Sequence, residues 1–210
     1  DKDKKYNKLR KESSIKKEIL YVTAQEHAVP SSMLAMIKYI KAEKNDYEQL
    51  ITVNSGNIKE SEERLKRYNL SDIQIITRDD EKYLKSLSEA EYIFSDCGLE
   101  YYFAAKNGQK YFNLQTDNIS AKMTRKKERE CFEFATVQKS IITPKASIYL
   151  TNESRLSFEK AYRCEMLPTS AIIPTPLLLI WQAQQTLRQA LTKLKFYLLL
   201  NSKQLPAEVQ

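Results

Sequence analysis

Glycine is scarce, with three residues in 210. Phosphate-cradling loops need several glycines close together, and neither Gly-x-Gly-x-x-Gly nor a Walker-type Gly-Lys-Ser/Thr loop occurs. Three cysteines are present, Cys97, Cys131 and Cys164, spaced 34 and 33 apart. That spacing matches no zinc or redox pattern, so no metal is expected. An odd cysteine count without a signal peptide fits a reducing cytoplasm. Cys97 has no histidine near it in sequence and is not read as a nucleophile. The longest apolar runs, Leu177–Trp181 and Phe196–Leu200, are far too short to span a bilayer. Signatures of nucleic-acid modules and ladders of aromatic and basic residues are lacking, so no nucleic-acid partner is expected. No cofactor is expected either. An initiating Met is also missing, and residues 1–17 carry no apolar run. This basic polar arm reads as a linker, and the chain reads as cut from something longer.

What remains suits a soluble globular protein: 42% hydrophobic and 29% charged residues, with thirteen Tyr. The net charge of +7 is carried by the two ends, +4 in residues 1–20 and +3 in residues 166–210. The amino-terminal arm is either an exposed solubilising tail or a surface for phosphate or an anionic membrane. Apolar runs at Ile19–Thr23, Tyr47–Val53, Ile73–Thr77, Ala90–Ser95, Gln109–Leu114 and Ser147–Leu150 read as strands. Between them, Pro30-Ser31-Ser32 opens a helix whose stripe is Met33, Met36, Ile37 and Ile40. Helices are also expected over Lys59–Tyr68, with Leu65 and Tyr68 apolar, and over Glu81–Ser88 and Leu99–Ala105. The latter part of Ile119–Val137 and a segment from Thr151-Asn152-Glu153 to about Arg163 complete the set. This alternation predicts an α/β, Rossmann-like domain over 18–165, a mostly parallel sheet with helices on both faces. Residues 166–210 differ: ten leucines fall within 177–210, and six Gln lie in 181–210, as many as in residues 1–165 together. A Leu/Gln-rich helical tail is expected from about Pro176 to Leu200.

Ligands of such sheets lie beyond the carboxyl ends of the strands. That directs attention to the loops at Ala24–Val29, Asn54–Ile58, Ser95–Leu99 and Gln115–Asn118. Ser95 and Asp96 end a strand, where they either help hold a phosphate or only make a turn, with Asp96 as a cap. Lys106 and Lys110 meet a phosphate or are merely solvated. Asn113 sits near a strand end on the ligand side. Asp117 is the one carboxylate of the following loop, a base toward an acceptor hydroxyl or a helix cap. Lys122 opens a basic run that either offsets phosphate charge or is a solvated face. His27, the single histidine, follows the first strand and precedes a helix start, where it either meets a phosphate together with the helix N–H groups or is a lone histidine without a functional role.

In order, these clusters resemble the CDP-glycerol glycerophosphotransferase family of teichoic acid synthesis. Phe94-Ser95-Asp96 matches its strand end. Lys106-Asn107-Gly108-Gln109-Lys110-Tyr111-Phe112-Asn113 matches its Lys/Arg-x-Gly-Gln-x-Tyr/Phe-x-Asn segment. The family continues Thr-Trp-His-Gly-Thr-Pro-x-Lys, and here the chain departs. Thr116 stands in the histidine's place, Asp117 for Gly, Asn118 for Thr and Ile119 for Pro; Lys122 matches the lysine only with a shift of one. The stretch Ile148–Ser154 and Phe158–Tyr162 is similar to the family's linker into its second domain. The resemblance covers roughly residues 18–165. It implies the amino-terminal, acceptor-side domain of a GT-B-type transferase. Its site residues are then Ser95, Asp96, Asn113, Asn118 and Lys122, with Asp117 and His27 as substitutes for the missing base. It further implies a phosphorylated lipid-linked acceptor and a CDP-glycerol-like donor, bound only when a carboxyl-terminal domain is supplied. The chain alone is expected to be inactive, truncated, and cytoplasmic, peripheral at the inner face of the membrane. The alternative is a non-catalytic module that binds a phosphorylated polymer or a separate carboxyl-terminal half.

Overall fold

Strand β1, Lys16–Val22, is hydrogen-bonded on both sides, and Ile19, Leu20, Tyr21 and Val22 are fully buried. A strand buried on both faces reads as one continuous apolar run, which is why Ile19–Val22 stood out in the sequence. The computed structural model describes residues 2–24, 28–43, 46–115, 139, 142–149, 152–162 and 170–172. The chain divides into two compact units, Asp1–Asn113 and Leu114–Gln210.

In the first unit, β1 is followed by helix α2 (Ser31–Glu43), strand β2 (Glu48–Thr52) and helix α3 (Ile58–Arg67). Strand β3 (Gln74–Ile76), helix α4 (Glu81–Glu89), strand β4 (Ala90–Ser95) and strand β5 (Lys110–Gln115) complete it. The strands lie in the order β3-β2-β1-β4-β5, and every pairing is parallel. This is the Rossmann-like α/β architecture expected from the alternation. Right-handed crossovers send the chain outward from β1 to β3 over one face and back to β4 over the other. Helix α4 packs on the face that carries Leu20, Val22, Leu50, Ile93 and Tyr111. On the opposite face, Tyr21, Phe94 and Phe112 stand at matched positions of three adjacent strands. Their rings stack with centroids 5.6 and 5.3 Å apart. The stripe foreseen for α2 is fully realised: Met33, Met36, Ile37 and Ile40 are all buried.

Three expectations are corrected. Residues 2–12, read as part of an exposed polar arm, form helix α1, Lys2–Glu12. Its Tyr6 is fully buried in the α4 core, with Leu9 packed beside it. The Tyr6 hydroxyl donates to Ala104 O at 3.1 Å, and Arg10 donates to Ala104 O at 2.7 Å and Ala105 O at 3.2 Å. Those bonds explain the second correction, because Leu99–Ala105 is not a helix. It follows Gly98, whose φ is 77°, and closes only one turn, Phe103 N to Glu100 O. Its last carbonyls are satisfied from α1, and Phe103 is buried against Tyr111. Third, Tyr68 is not on the apolar side of α3. It caps the helix and is 43% exposed, while Leu65 is buried with Ser61. Asn69, at φ 58°, turns the chain there, and Leu70 N bonds back to Leu65 O in a Schellman closure.

In the second unit, strand β6 (Ala146–Tyr149) is followed by helix α5 (Asn152–Tyr162) and strand β7 (Ser170–Ile172), which pairs parallel with β6. The expected strand is present one residue earlier at each end, and the expected helix begins at Asn152, within its foreseen cap, and ends one residue earlier. Strand β7 was not anticipated. Arg155 binds Asn152 Oδ1 and, one turn on, Glu159 at 3.4 Å. The helices expected within Ile119–Val137 and from Pro176 to Leu200 lie outside the described residues.

Docking of α1 leads to a stability test. Tyr6→Ala removes a fully buried ring and is expected to cost about 3–5 kcal/mol in urea unfolding. Tyr6→Phe, which loses one hydrogen bond, is expected to cost about 1 kcal/mol. An arm lying loose on the surface would shift by less than about 0.5 kcal/mol in both.

Candidate functional site

The chain goes one way from β1 to β2 and the other way to β4, so the loops after β1 and β4 diverge. That reversal is where ligands bind in this architecture. At the end of β1, Thr23 Oγ1 donates to Thr52 O at 2.6 Å, and Thr23 N donates to Thr52 Oγ1 at 3.1 Å. Across the reversal, Ala24 N donates to Asp96 Oδ1 at 2.8 Å, and Asp96 N donates to Val22 O at 3.2 Å. Asp96 is therefore a tether between the two loops rather than a helix cap. Burial raises its carboxyl above the ordinary range, although Ala24 N–H opposes the shift.

Ser95 is fully buried. Its hydroxyl donates to Gly98 O at 3.0 Å and accepts from Cys97 N at 3.3 Å. This bridge fixes the turn that Gly98 permits by its positive φ. On the neighbouring strand, Asn113 pairs in register with Ser95 and is buried. The sheet thus brings Ser95, Asp96 and Asn113 together at one edge. The other sequence candidates, His27, Thr116, Asp117, Asn118 and Lys122, lie outside the described residues. Lys106 and Lys110 are engaged elsewhere. Lys106 Nζ donates to Ser13 O at 2.7 Å and Ser13 Oγ at 2.8 Å, and Lys110 pairs with Glu91 and lies over the Tyr92 ring.

Sequence reading missed Arg78. Its residue enters from the loop between β3 and α4, and its side chain is only 22% exposed. Arg78 donates to Thr23 O at 3.1 Å, contacts the Cys97 sulfur, and pairs with Glu100 at 3.5 Å. Tyr83 in turn donates to Glu100. One guanidinium therefore links the loops after β1, β3 and β4, which its five fixed donors permit. A position just past a strand end was the available signal; the partner Glu100, twenty-two residues on, had none.

Cys97 keeps surface in solvent, yet the surrounding loops desolvate its sulfur. That raises the thiol to about 11, against the opposing pull of Arg78. A neutral thiol is a weak nucleophile. Among the described residues, no group of three His, Cys, Asp or Glu is placed to hold a metal ion. The edge offers a polar, partly buried frame of backbone, hydroxyl, carboxyl and amide groups.

Two measurements test this frame. Arg78→Ala leaves the partly buried Glu100 without its cation and is expected to destabilise the protein by about 1–3 kcal/mol. Alkylation of Cys97, followed by peptide mapping, is expected to accelerate roughly tenfold per pH unit from pH 8 to 10 without levelling. A plateau near pH 9 would show an unshifted thiol. Because folding raises this thiol, its contribution to stability is complete below the ordinary thiol range and is lost as pH climbs toward 11.

Solved structures of the wall teichoic acid polymerase TagF share this fold. The polymerase itself aligns with 16% identity and a TM-score of 0.60 over 96% of this chain and 49% of that one. A variant with one histidine replaced gives 16% and 0.62 over 96% and 48%. The same variant soaked with CDPG gives 15% and 0.61 over 96% and 49%. The chain therefore spans about half the length of the solved structures it matches. No curated protein matches its sequence. The model of the family described as CDP-Glycerol:Poly(glycerophosphate) glycerophosphotransferase matches residues 6–169. With that match running over most of its length, the chain belongs to the CDP-glycerol:poly(glycerophosphate) glycerophosphotransferase family.

Proposed function

We propose that these residues form the acceptor-side half of a glycerophosphotransferase of teichoic acid or cell-surface polysaccharide synthesis. The family match over residues 6–169, on a chain about half as long as the solved structures, carries this reading. In the transfer, an acceptor hydroxyl attacks the glycerol-bearing phosphorus of CDP-glycerol. A new P–O bond forms, the phosphoanhydride P–O bond breaks, CMP leaves, and the hydroxyl proton passes to a base. Ser95, Asp96 and Asn113 lie at the strand ends where an acceptor would be positioned. Asn118 and Lys122 follow in sequence and are assigned to its phosphate.

Transfer on this reading needs a carboxyl-terminal half to hold the nucleotide donor, because donor and acceptor must be fixed together before reaction. These residues alone are inactive. A lipid-linked acceptor places the protein at the inner face of the membrane, held peripherally. Among the described residues, no helix is long and apolar enough to cross a membrane. Thr116 supports a second reading, a non-catalytic module that binds a phosphorylated polymer or a partner half. Its hydroxyl does not titrate near neutral pH and cannot replace a histidine as base. On the transferase reading, Asp117 or His27 has to take the proton in its place.

The test follows CMP release from CDP-glycerol with a lipid-linked acceptor. The chain alone is expected to release none. Supplied with a carboxyl-terminal half from a family member, it is expected to be slow, and Thr116→His is expected to accelerate it by roughly 10²–10⁴. Release by the unaided chain would overturn the half-site reading. A Thr116→His variant no faster than its parent would overturn the role given to that position.

A further inference from the structure

Helix α1 divides its charge by face. Positions 2, 5, 6, 9, 10 and 13 turn inward, and their polar groups are used. Lys2 binds Asp79 at 2.7 Å, Lys5 binds Glu81, Arg10 binds the Ala104 and Ala105 carbonyls, and Ser13 meets Ser88. Positions 4, 7, 8 and 11 fall together on the opposite side, as the helical repeat requires. Lys4, Lys8 and Lys11 are exposed there, and none makes an ion pair with a described residue. Asn7, also exposed, lies between them on this face. From Lys4 to Lys11 the line of charge runs about 10 Å at 1.5 Å per residue.

The direction of this line is informative. The first turn of α1 lies beside Asp79 and Glu81, at the carboxyl end of the sheet. Its last turn lies beside Ser88, at the amino end. The lysines therefore climb the flank of the unit, with Lys4 at the end of α1 that lies beside Asp79 and Glu81.

We propose that the outer face of α1 is a docking track for a linear phosphodiester polymer, leading it to the carboxyl edge of the sheet. The inference rests on the proposed function only for the identity of that polymer as the acceptor. Charge complementarity favours it: a single file of cations matches a single file of phosphates. A bilayer fits less well. Helices that lie in an interface bury an apolar face in it, whereas Tyr6 and Leu9 of α1 are packed into the core. The outer face also carries no aromatic ring on which a base would stack.

Purified poly(glycerol phosphate) is the probe, titrated against the full chain between 50 and 200 mM salt. Three contacts to a single-stranded polyanion give a slope of about −2 in log K against log salt, so binding is expected to fall about 20-fold over that range. Lys4→Gln/Lys8→Gln/Lys11→Gln is expected to flatten the slope, and Lys8→Gln alone to reduce it by about one third. Lys59→Gln/Lys66→Gln on α3 is expected to leave it unchanged. All are surface positions, and an unchanged thermal melt confirms that each variant is folded. No binding at 50 mM salt, or an unchanged slope in the triple variant, overturns the track. So does binding by these lysines to phosphatidylglycerol vesicles but not to the polymer. Failure of CMP release with a supplied carboxyl-terminal half would instead count against the transferase reading and leave the binding result standing.

Discussion

A parallel sheet has to be covered on both faces, and the first unit follows from that requirement. β1 sits at its centre with four consecutive apolar residues out of water. The crossover helices supply most of the cover, but α4 alone leaves the flank toward β5 open, because the segment between β4 and β5 is not a helix. Helix α1 closes it. Tyr6 fills the core there, and its hydroxyl and Arg10 provide the donors that the Ala104 and Ala105 carbonyls would otherwise lack. The exposed pairs Lys2–Asp79 and Lys5–Glu81 set the helix's rotation more than its stability, since surface ion pairs contribute little.

Strand order then decides where the polar groups go. The reversal at β1 and β4 opens a gap between two loops, and the structure spends Ser95, Asp96 and Arg78 on holding it. A carboxylate kept at a buried loop junction is destabilised in its charged form, and the Ala24 N–H compensates only in part. Most polar groups at this junction are taken up by local bonds, with the buried Arg78 Nε as an exception.

Elements with a strong hydrophobic period were legible in the sequence. β1 and β4 appeared there as nearly continuous apolar runs and α2 because its apolar residues recur at three and four, and β4 ended at Ser95, just before Asp96. Helix α1 was hidden because one buried Tyr among eleven largely charged residues makes no visible period. The segment Leu99–Ala105 looked helical, but its carbonyls found better partners in a helix ninety residues upstream, which no local pattern records. Arg78 was missed for the same reason: its value comes from Thr23, Cys97 and Glu100, none of them near it in sequence.

The motif that announced the family does structural work at its core. Gly108 takes a φ of 94° in the turn closed by Gln109 N and Lys106 O. The Gln109 amide nitrogen donates to Leu87 O at 3.1 Å and Ala90 O at 3.0 Å, satisfying carbonyls at the end of α4, and its oxygen accepts from Lys106 N. The Gly-Gln pair thus sits at the amino end of β5, where it sets the register that brings Asn113 beside Ser95. A substitution there would be felt as misfolding, which explains how this segment can match the family well while the next one departs. Chemistry is not needed to keep Gly108 and Gln109. The match at Gln109 therefore supports the fold and says little about turnover, and the weight of any catalytic claim falls on Thr116 and the residues after it.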